Sequence, residues 1–401
     1  MPVSLRDMSL ARILAQGLVA ATTAPTPVEA VRRQLAVQGQ QVSAVPHALV
    51  ARCAGAGGSD VEAAFEAGEL VRSWPMRGTV HVTTAADHHW LRATLMHRSD
   101  AWTRRTEAEL GMDEALCTRA AQVALELLAE HGPLPRAVLL QAWGQAGLMG
   151  SAEERDVISY RRRHLLVRLQ REGVLVQGPR RGNEHLVVDA RSLPDADRGP
   201  AGADVRHGGA GHRAACAEIA RRYALGHGPV SVADLARWTG LPRSQAAQAL
   251  EDAVELTSSA TYATDTASGQ VPVARVDTAL RPLPAVTGRR PVPGTCYARA
   301  DLPDLLAAHR RSAQATLFLP SFDELHVGYQ DRTCLTDAAG ERLICPASNG
   351  MFRPLLVDRG RLVAVAPVAQ GLTWLGGSPP SARVERDVAR ALERVRRRLA
   401  A

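Results

Sequence analysis

Residues 161–188 read RRRHLLVRLQREGVLVQGPRRGNEHLVV. The first part is predicted to be a helix that carries Arg161, Arg162, Arg163 and Arg168 and leaves through Gly173. The β-prone runs 174–177 and 186–188 then flank a basic turn, 180–183, that contains Gly-Asn. Two β-prone runs around such a turn are typical of a hairpin. The stretch therefore predicts a helix that leads directly into a β-hairpin.

A phrase just upstream of this stretch occurs twice in the chain. His-Gly-Pro at 131–133 precedes an apolar helix that reaches Trp143, and His-Gly-Pro at 227–229 precedes one that reaches Trp238. In each copy a first helix, about 118–130 or 212–225, runs into Gly-Pro, and a third helix leads to a strand-turn-strand segment. Three helices that end in a hairpin predict a winged helix, a helix-turn-helix variant that lays its third helix and its wing on DNA.

The N-terminal segment is predicted to be a third copy of this module. An amphipathic helix over 5–18 is followed by Thr-Pro-Val-Glu at 26–29, a strong helix-start signal because it combines a cap, an early proline and an early glutamate. Strand-like runs at 70–74 and 79–82 flank Pro75-Met76-Arg77-Gly78 as another wing. Thr84 and Asp87 then cap a helix through residue 95.

The rest of the chain divides into a linker and a different kind of domain. Residues 191–211 are rich in Gly, Pro and Asp, which indicates a linker. From about 281 strand-like runs (316–319, 355–357, 362–365) alternate with turns until a charged helix over 381–400. We therefore predict an α+β protein with three tandem winged-helix modules (1–115, 116–190, 212–280), the linker, and a β-rich, barrel-like C-terminal domain (281–401).

All 48 of the Lys+Arg residues are arginine. Without lysine, no side-chain amine exists for a Schiff base and no P-loop lysine for a nucleotide phosphate, which excludes those reaction classes. GC-rich codon usage explains arginine bias in general, but the formal charge of +7 and the pI near 9.5 also favour a polyanionic partner. The composition therefore points to nucleic acid.

Compartment and cofactors follow from what the chain lacks. Aromatic residues make up 4%, fewer than a flavin cage or a stacked single-strand platform needs. The six cysteines have no zinc-type spacing, which predicts reduced thiols, no metal and no cofactor. With no secretory leader and no long apolar run, we expect a cytoplasmic protein that contacts no membrane, and we expect it to be a monomer.

A glutamine pair follows the helix that starts at Thr26. We expect that helix to stop near 37–40, because Gly39 is a natural helix-ending residue and Pro46 soon forbids continuation. Gln38 and Gln40 then project into the same space beside the glycine. Taken alone, this pair is better explained as polar residues that merely end a helix.

Five segments together resemble the AlkZ-like (azinomycin-resistance type) winged-helix DNA glycosylases. They are LAVQGQ (35–40), WPMRGTVH (74–81), the stretch from Tyr223 to Trp238, PSFDELHVGYQDR (320–332) and NGMFRP (349–354). The first is similar to the family's Q-x-Q catalytic motif, although the middle position, commonly apolar, is Gly39 here. The resemblance implies three winged helices and a β-barrel in a C-shape around a DNA channel, with Gln38 and Gln40 as catalytic residues.

The resemblance also implies the chemistry. Such enzymes release alkylated purines, including N7-alkylguanine and some interstrand crosslinks, from double-stranded DNA. Alkylation at N7 makes the base cationic, so its departure neutralises charge and needs little general-acid help. A carboxamide oxygen can orient a water and stabilise positive charge on the sugar. Without an amine to attack the sugar, we expect hydrolysis and no lyase activity.

Arginines are the predicted DNA contacts. The middle module supplies the densest set on its third helix and wing, and further residues come from the family motifs: Arg161, Arg162, Arg163, Arg180, Arg181, Arg77, Tyr329, Arg332 and Arg353. Each can equally be a solvated or structural group. The histidines at 81 and 326 are interpreted as structural, and His88-His89 as part of a helix face rather than a metal site.

One alternative interpretation accounts equally well for the winged helices and the positive charge. A non-enzymatic DNA-binding protein, such as a transcriptional regulator, has the same features, and fold alone does not separate it from an enzyme. The Q-x-Q position and the lack of a dimerisation coiled coil favour the enzyme. A small-molecule hydrolase is disfavoured because the chain has no G-x-S-x-G elbow.

Overall fold

The computed structural model describes residues 5–95, 101–151, 154–193, 204–258, 262, 264, 271–284, 293–367 and 371–401, with 101–103 described by backbone alone. The chain divides into two compact units. Unit 1 comprises residues 1–61 and 213–401, and unit 2 comprises residues 62–212. Unit 1 is therefore discontinuous in sequence, with unit 2 inserted into it.

Unit 2 combines helices with an antiparallel sheet. Its helices are Ala85–Leu95, Ala101–Glu109, Glu114–His131, Arg136–Gln145 and Arg155–Arg171, and a helix at Gly58–Glu66 spans the boundary. The strands are ordered Thr79–Thr84, Leu70–Met76, Leu175–Arg181, Glu184–Asp189. Arg72 pairs with Gln177 across the middle of this order. The two hairpins predicted as separate wings are thus joined in one sheet.

The turn of the first hairpin is shorter than predicted. Pro75 and Met76 belong to the first strand, so only Arg77 and Gly78 form the turn. Both have positive φ, 53° and 67°. This is the backbone that a two-residue type I′ turn requires, and it matches the twist of the flanking strands.

The first strand of the second hairpin is longer than predicted, and the turn is again shorter. Arg180 and Arg181 lie within the strand Leu175–Arg181, not in the turn, which is reduced to Gly182-Asn183. A bulge between Gln177 and Arg180 shifts the register of the pairing. Such a bulge bends the strand, and no residue pattern indicated it in advance.

The core of unit 2 forms where its three long helices meet. Trp143, on Arg136–Gln145, is fully buried, and its indole Nε1 donates to the carbonyl of Ala120 at 2.9 Å. Leu165 and Leu169, on Arg155–Arg171, belong to the same apolar cluster. The predicted helices around the first His-Gly-Pro are confirmed, and this tryptophan is the residue that joins them.

Unit 1 contains the helices and strands of its two sequence segments. Its helices are Leu5–Ala15, Pro27–Gln34, Val42–Ala44 (3₁₀), Val45–Val50, His212–His227, Val232–Thr239, Arg243–Ser258, Leu302–Ala313, Glu324–Val327, Ala338–Ile344 and Ala382–Ala400. Its strands are Val37–Gln38, Val273–Val276, Cys296–Arg299, Leu317–Leu319, Leu355–Asp358, Arg361–Val365 and Thr373–Trp374.

The second His-Gly-Pro copy has its three predicted helices. The N-terminus of Val232–Thr239 carries a capping box, in which Ser231 Oγ accepts from Asp234 N at 3.2 Å and Asp234 Oδ2 accepts from Ser231 N at 2.8 Å. The strand after the third helix, Val273–Val276, pairs with Cys296–Arg299. This pairing crosses the predicted limit at 280, and the module limits remain predictions.

The label β-rich for residues 281–401 is wrong. The described part holds helices of 12, 4, 7 and 19 residues beside short strands. The strands form an antiparallel sheet in the order Thr373–Trp374, Arg361–Val365, Leu355–Asp358, Leu317–Leu319, which ends in two edges among the described residues. The prediction missed the amphipathic helix Leu302–Ala313, whose Leu302 and Leu306 are buried at helical spacing.

The predicted linker is described only at its ends. Residues 190–192 form a 3₁₀ turn and the next helix starts at His212, while 194–203 lie outside the described residues. All six cysteines are free and buried. In the described ranges no helix is long and apolar enough to cross a bilayer.

We predict that Trp143→Ala lowers the free energy of unfolding of unit 2 by about 3–5 kcal/mol, because it removes a buried ring and its hydrogen bond. Val138→Ala on the same helix, at a residue that is 37% exposed, should change it by less than about 0.5 kcal/mol. Urea denaturation followed by circular dichroism measures both. Similar losses in the two variants would show that the tryptophan does not hold the helices together.

Candidate active site

The helix before the glutamine pair begins as predicted and ends early. Thr26 Oγ1 accepts from Glu29 N at 3.1 Å, and Pro27 is the first helical residue. The helix stops at Gln34, where Leu35 adopts φ 65° and ψ −46°. The expectation that it stops near 37–40, with Gly39 as the helix-ending residue, is wrong, because Leu35 ends the helix and Gly39 is not among the residues with positive φ.

Tertiary contacts explain a leucine in this strained conformation. The Leu35 side chain is fully buried, and the Gln34 amide Nε2 donates to the carbonyl of Gly226 at 2.9 Å. A Cβ on Gly226 would meet the carbonyl oxygen of Arg33 at 2.3 Å, so the two helices touch through backbone. A non-glycine residue in such a region costs about 1–3 kcal/mol, which burial of the leucine offsets.

Gln38 is half-buried and lies in the extended segment that follows the helix. Its backbone N–H donates to Glu324 Oε1 at 2.8 Å. Its carboxamide Oε1 is buried, and among the described residues no donor reaches that oxygen. Gln40 is exposed. Such an oxygen can accept a hydrogen bond from a water, and the buried side-chain oxygens of Gln34, Gln170 and Gln245 are in the same state among the described residues.

Glu324 was not singled out from the sequence, yet its carboxylate contacts three segments. The side chain is fully buried. Oε1 accepts from Gln38 N, and Oε2 accepts from Trp238 Nε1 and His227 Nε2, both at 3.2 Å. Burial lowers the pKa of His227, which favours the neutral imidazole near pH 7. Because a carboxylate oxygen only accepts, the tautomer that fits this contact carries its hydrogen on Nε2. Glu324 lies within the motif at 320–332, but no spacing relates it to Gln38, because the two residues are 286 positions apart.

A second buried carboxylate lies next to it in the chain. Asp323 forms a bidentate ion pair with Arg52, at 2.8 and 2.9 Å, and both side chains are buried. Arg52 also donates to Gln16 Oε1 at 2.6 Å. Gln16 Nε2 in turn donates to the hydroxyl of Tyr329 at 2.9 Å. The motif at 320–332 therefore ties the N-terminal helices to the C-terminal part of unit 1.

The structure argues against a DNA contact by Tyr329. The ring is fully buried, and its hydroxyl donates to the carbonyl of His227 at 2.7 Å. The guanidinium of Arg12 lies 3.7 Å from the ring centroid. Burial raises the pKa of Tyr329, which keeps the phenol protonated. A side chain so enclosed has no surface to offer a duplex.

The three arginines of the family motifs, Arg332, Arg353 and Arg77, have mainly intramolecular contacts. Arg332 donates to the carbonyl of Tyr329 at 3.2 Å and to Glu341 at 3.4 Å, and burial lowers its pKa. Arg353 donates to the carbonyl of Leu343 at 3.4 Å. Arg77 lies in the hairpin turn, 3.4 Å from His81 Nε2. All three are half-buried.

The arginines of unit 2 differ in how they are used. Arg161 donates to the carbonyls of Leu148, Leu110 and Gly111 at 2.9–3.1 Å. Arg180 pairs with Glu62 at 3.0 Å, and Arg181 pairs with Glu66. By contrast Arg162 and Arg163 are exposed.

Arg162 and Arg163 line an open cavity of about 510 Å³ together with Arg136, Arg155, Ile158 and Ser159. Arg136 and Arg155 were missed from the sequence. Arg155 lies seven residues before Arg162 on one helix, and this spacing of two helical turns could have revealed it. Four guanidinium groups around one cavity suit a phosphate backbone.

A second cavity, of about 350 Å³, belongs to unit 1. Its walls are mostly apolar and include one arginine: Gln41, Ser321, Pro346, Ala347, Asn349, Met351, Phe352, Arg353, Pro354 and Pro367. Met351 is 59% exposed. One of the lining residues, Gln41, directly follows Gln40 in the sequence.

Comparison with known proteins gives two findings. Residues 31–398 match the family AlkZ-like, described as DNA glycosylase AlkZ-like. The fold is similar to that of Streptomyces sahachiroi DNA glycosylase AlkZ, with a TM-score of 0.66, 19% sequence identity, and coverage of 99% of this chain and 97% of that chain. No curated protein matches the sequence.

We predict that the double variant Arg162→Ala/Arg163→Ala flattens the salt dependence of duplex affinity. Each lost phosphate contact lowers the slope of log K against log salt by about 0.9, so the slope should fall by up to about 2 units. Fluorescence anisotropy with labelled duplex at several salt concentrations measures it.

Arg180→Ala/Arg181→Ala is the matched control, because it removes the same charge from residues already paired with Glu62 and Glu66. It should change the slope less. An unchanged slope in the Arg162/Arg163 variant would show that this cavity does not face the duplex.

Proposed function

Because the chain belongs to the AlkZ-like DNA glycosylase family, we propose that it hydrolyses the N-glycosidic bond of cationic N7-alkylpurines in double-stranded DNA. The observation that carries this proposal is the buried carboxamide oxygen of Gln38, which no donor among the described residues reaches. Gln40, two residues on, is exposed. The alternative interpretation, a non-enzymatic DNA-binding protein, assigns no role to this oxygen.

The amide chemistry suits a leaving group that is already activated. A glutamine side chain cannot act as a general acid or base at ordinary pH, but its oxygen accepts a hydrogen bond from a water and is the negative end of a dipole. Placed near C1′, it orients the attacking water and stabilises the positive charge that develops on the sugar. The N7-alkylated base takes the bonding electrons and leaves as a neutral molecule. A neutral base such as uracil needs protonation that these residues do not supply.

The proposal extends to bulky adducts and to the unhooking of interstrand crosslinks, in DNA repair or in self-resistance to a genotoxin. The cavity beside Gln41 supports it, because about 350 Å³ lies within the range of small-molecule sites, about 300–1,000 Å³. Its proline, methionine and phenylalanine walls suit an apolar substituent. The four arginines around the unit 2 cavity are proposed to hold the duplex by its phosphates.

We predict that Gln38→Ala and Gln40→Ala each lower the single-turnover rate of N7-methylguanine release by roughly 10²- to 10³-fold, the usual cost of losing one group that stabilises a transition state. Duplex affinity should stay nearly unchanged, since neither residue belongs to the arginine cavity. Ser43→Ala, an exposed change in the same loop, is the control and should keep the parent rate. Chromatography of the released base gives the rate.

If both glutamine variants excise at the parental rate, the catalytic assignment is wrong. If the parent releases no methylated base, the substrate class is wrong. Uracil-containing duplex serves as the negative substrate.

We also predict that the product is an intact strand with an abasic site. Strand cleavage by a bifunctional glycosylase needs an amine that forms an imine with the opened sugar, and no lysine exists here. The remaining amine is at the N-terminus, on Pro2 if Met1 is removed, and it lies outside the described residues. Borohydride treatment during excision tests this, because a trapped protein–DNA adduct would refute the prediction. Loss of that adduct on blocking the N-terminus would assign it to the terminal amine.

A further inference from the structure

We propose that Glu324 is a positioning residue, which holds the backbone of Gln38 in the conformation that excision requires. The inference rests on the function proposed above. Glu324 is fully buried, so no DNA contact is proposed for it, and its proposed effect on excision is exerted through Gln38. Its contact is with the main chain, 2.8 Å from Oε1 to the Gln38 nitrogen.

The contact lies just after the end of the helix, where a short extended segment begins. The helix has just ended at Leu35, and the segment Val37–Gln38 is short. Gln34, anchored to Gly226, fixes the segment from one side. The bond from Gln38 to Glu324 fixes it from the other side. Between them, these two contacts set the path from the helix to the catalytic side chain.

A carboxylate is the group that fits these three neighbours. Gln38 N–H and Trp238 Nε1–H only donate, and His227 presents Nε2 to Oε2 at 3.2 Å, so the tautomer that fits carries its hydrogen on Nε2. Both oxygens of a carboxylate accept, so all the donors are satisfied. Glutamine of the same shape has one accepting oxygen and one NH₂ group, which must face at least one of the donors. Glu324→Gln therefore keeps the volume and removes the match.

The other two donors hold the carboxylate rather than the catalytic segment. Trp238 packs beside Tyr223, with ring centroids 4.8 Å apart, and belongs to the helix Val232–Thr239. Trp238→Phe removes one hydrogen bond from Oε2 and leaves Oε1 and Gln38 unchanged. It is the matched control, because it is equally buried and acts on the same carboxylate.

The experiment compares the parent, Glu324→Gln and Trp238→Phe on duplex with N7-methylguanine. We expect Glu324→Gln to lower kcat by about 10- to 100-fold, as a misplaced catalytic group does, with KM and duplex affinity within about twofold. Trp238→Phe should lower the melting temperature at least as much and keep kcat within about threefold. A purely structural role predicts parallel losses in the two variants, and that result, or a normal kcat in Glu324→Gln, would overturn the proposal.

Amide hydrogen exchange, resolved to Gln38 by mass spectrometry, gives a readout that does not need activity. In the parent the Gln38 amide should be protected, and in Glu324→Gln it should exchange at least about tenfold faster while the core helices of unit 1 stay protected. If Glu324→Gln does not fold, the parent still tests the idea, because an unprotected Gln38 amide rules it out. If the parent excises no base but Gln38 is protected, the proposed function fails and the contact stands.

Discussion

Unit 1 depends on two adjacent carboxylates that are buried in different ways. Asp323 is neutralised by Arg52, while Glu324 is satisfied by N–H groups from Gln38, Trp238 and His227. Taking a charge out of water is unfavourable, and removal of one partner from a buried pair costs about 3–5 kcal/mol. Each bond therefore fixes the segment that supplies it. The same two residues join the first 61 residues to the last third of the chain.

Local signals predicted the starts of elements better than their ends. Thr26 and Ser231 mark helix N-termini through contacts within four residues, which a sequence shows directly. The end of the first of these helices depends on Gly226, 192 residues away from Gln34. The C-terminal segment was wrongly predicted to be β-rich because its strands are clearly rich in Val and Leu. The helix at 302–313, by contrast, has only a narrow apolar face.

The candidate site was predictable where a motif carried it. Gln38 and Gln40 came from the family resemblance, and their catalytic role remains a proposal. Glu324 belongs to the motif at 320–332, but its role could not be predicted, because its contact to Gln38 joins positions 286 apart. Arg161 and its two neighbours look alike in sequence, yet Arg161 binds loop carbonyls while Arg162 and Arg163 face a cavity. Identical residues in a row lie on different sides of a helix, and only the packing assigns their roles.

The discontinuity of unit 1 bears on how the chain folds during synthesis. The helix Ala382–Ala400 closes against the N-terminal segment: Ser59 Oγ donates to the carbonyl of Ala401 at 2.6 Å, and Arg398 donates to that of Cys53 at 2.8 Å. These contacts join positions 342 and 345 apart, whereas residues 62–212 form a unit that is continuous in sequence. Since domains generally fold as they are made, the inserted unit is expected to fold before unit 1, which contains Gln38, is complete.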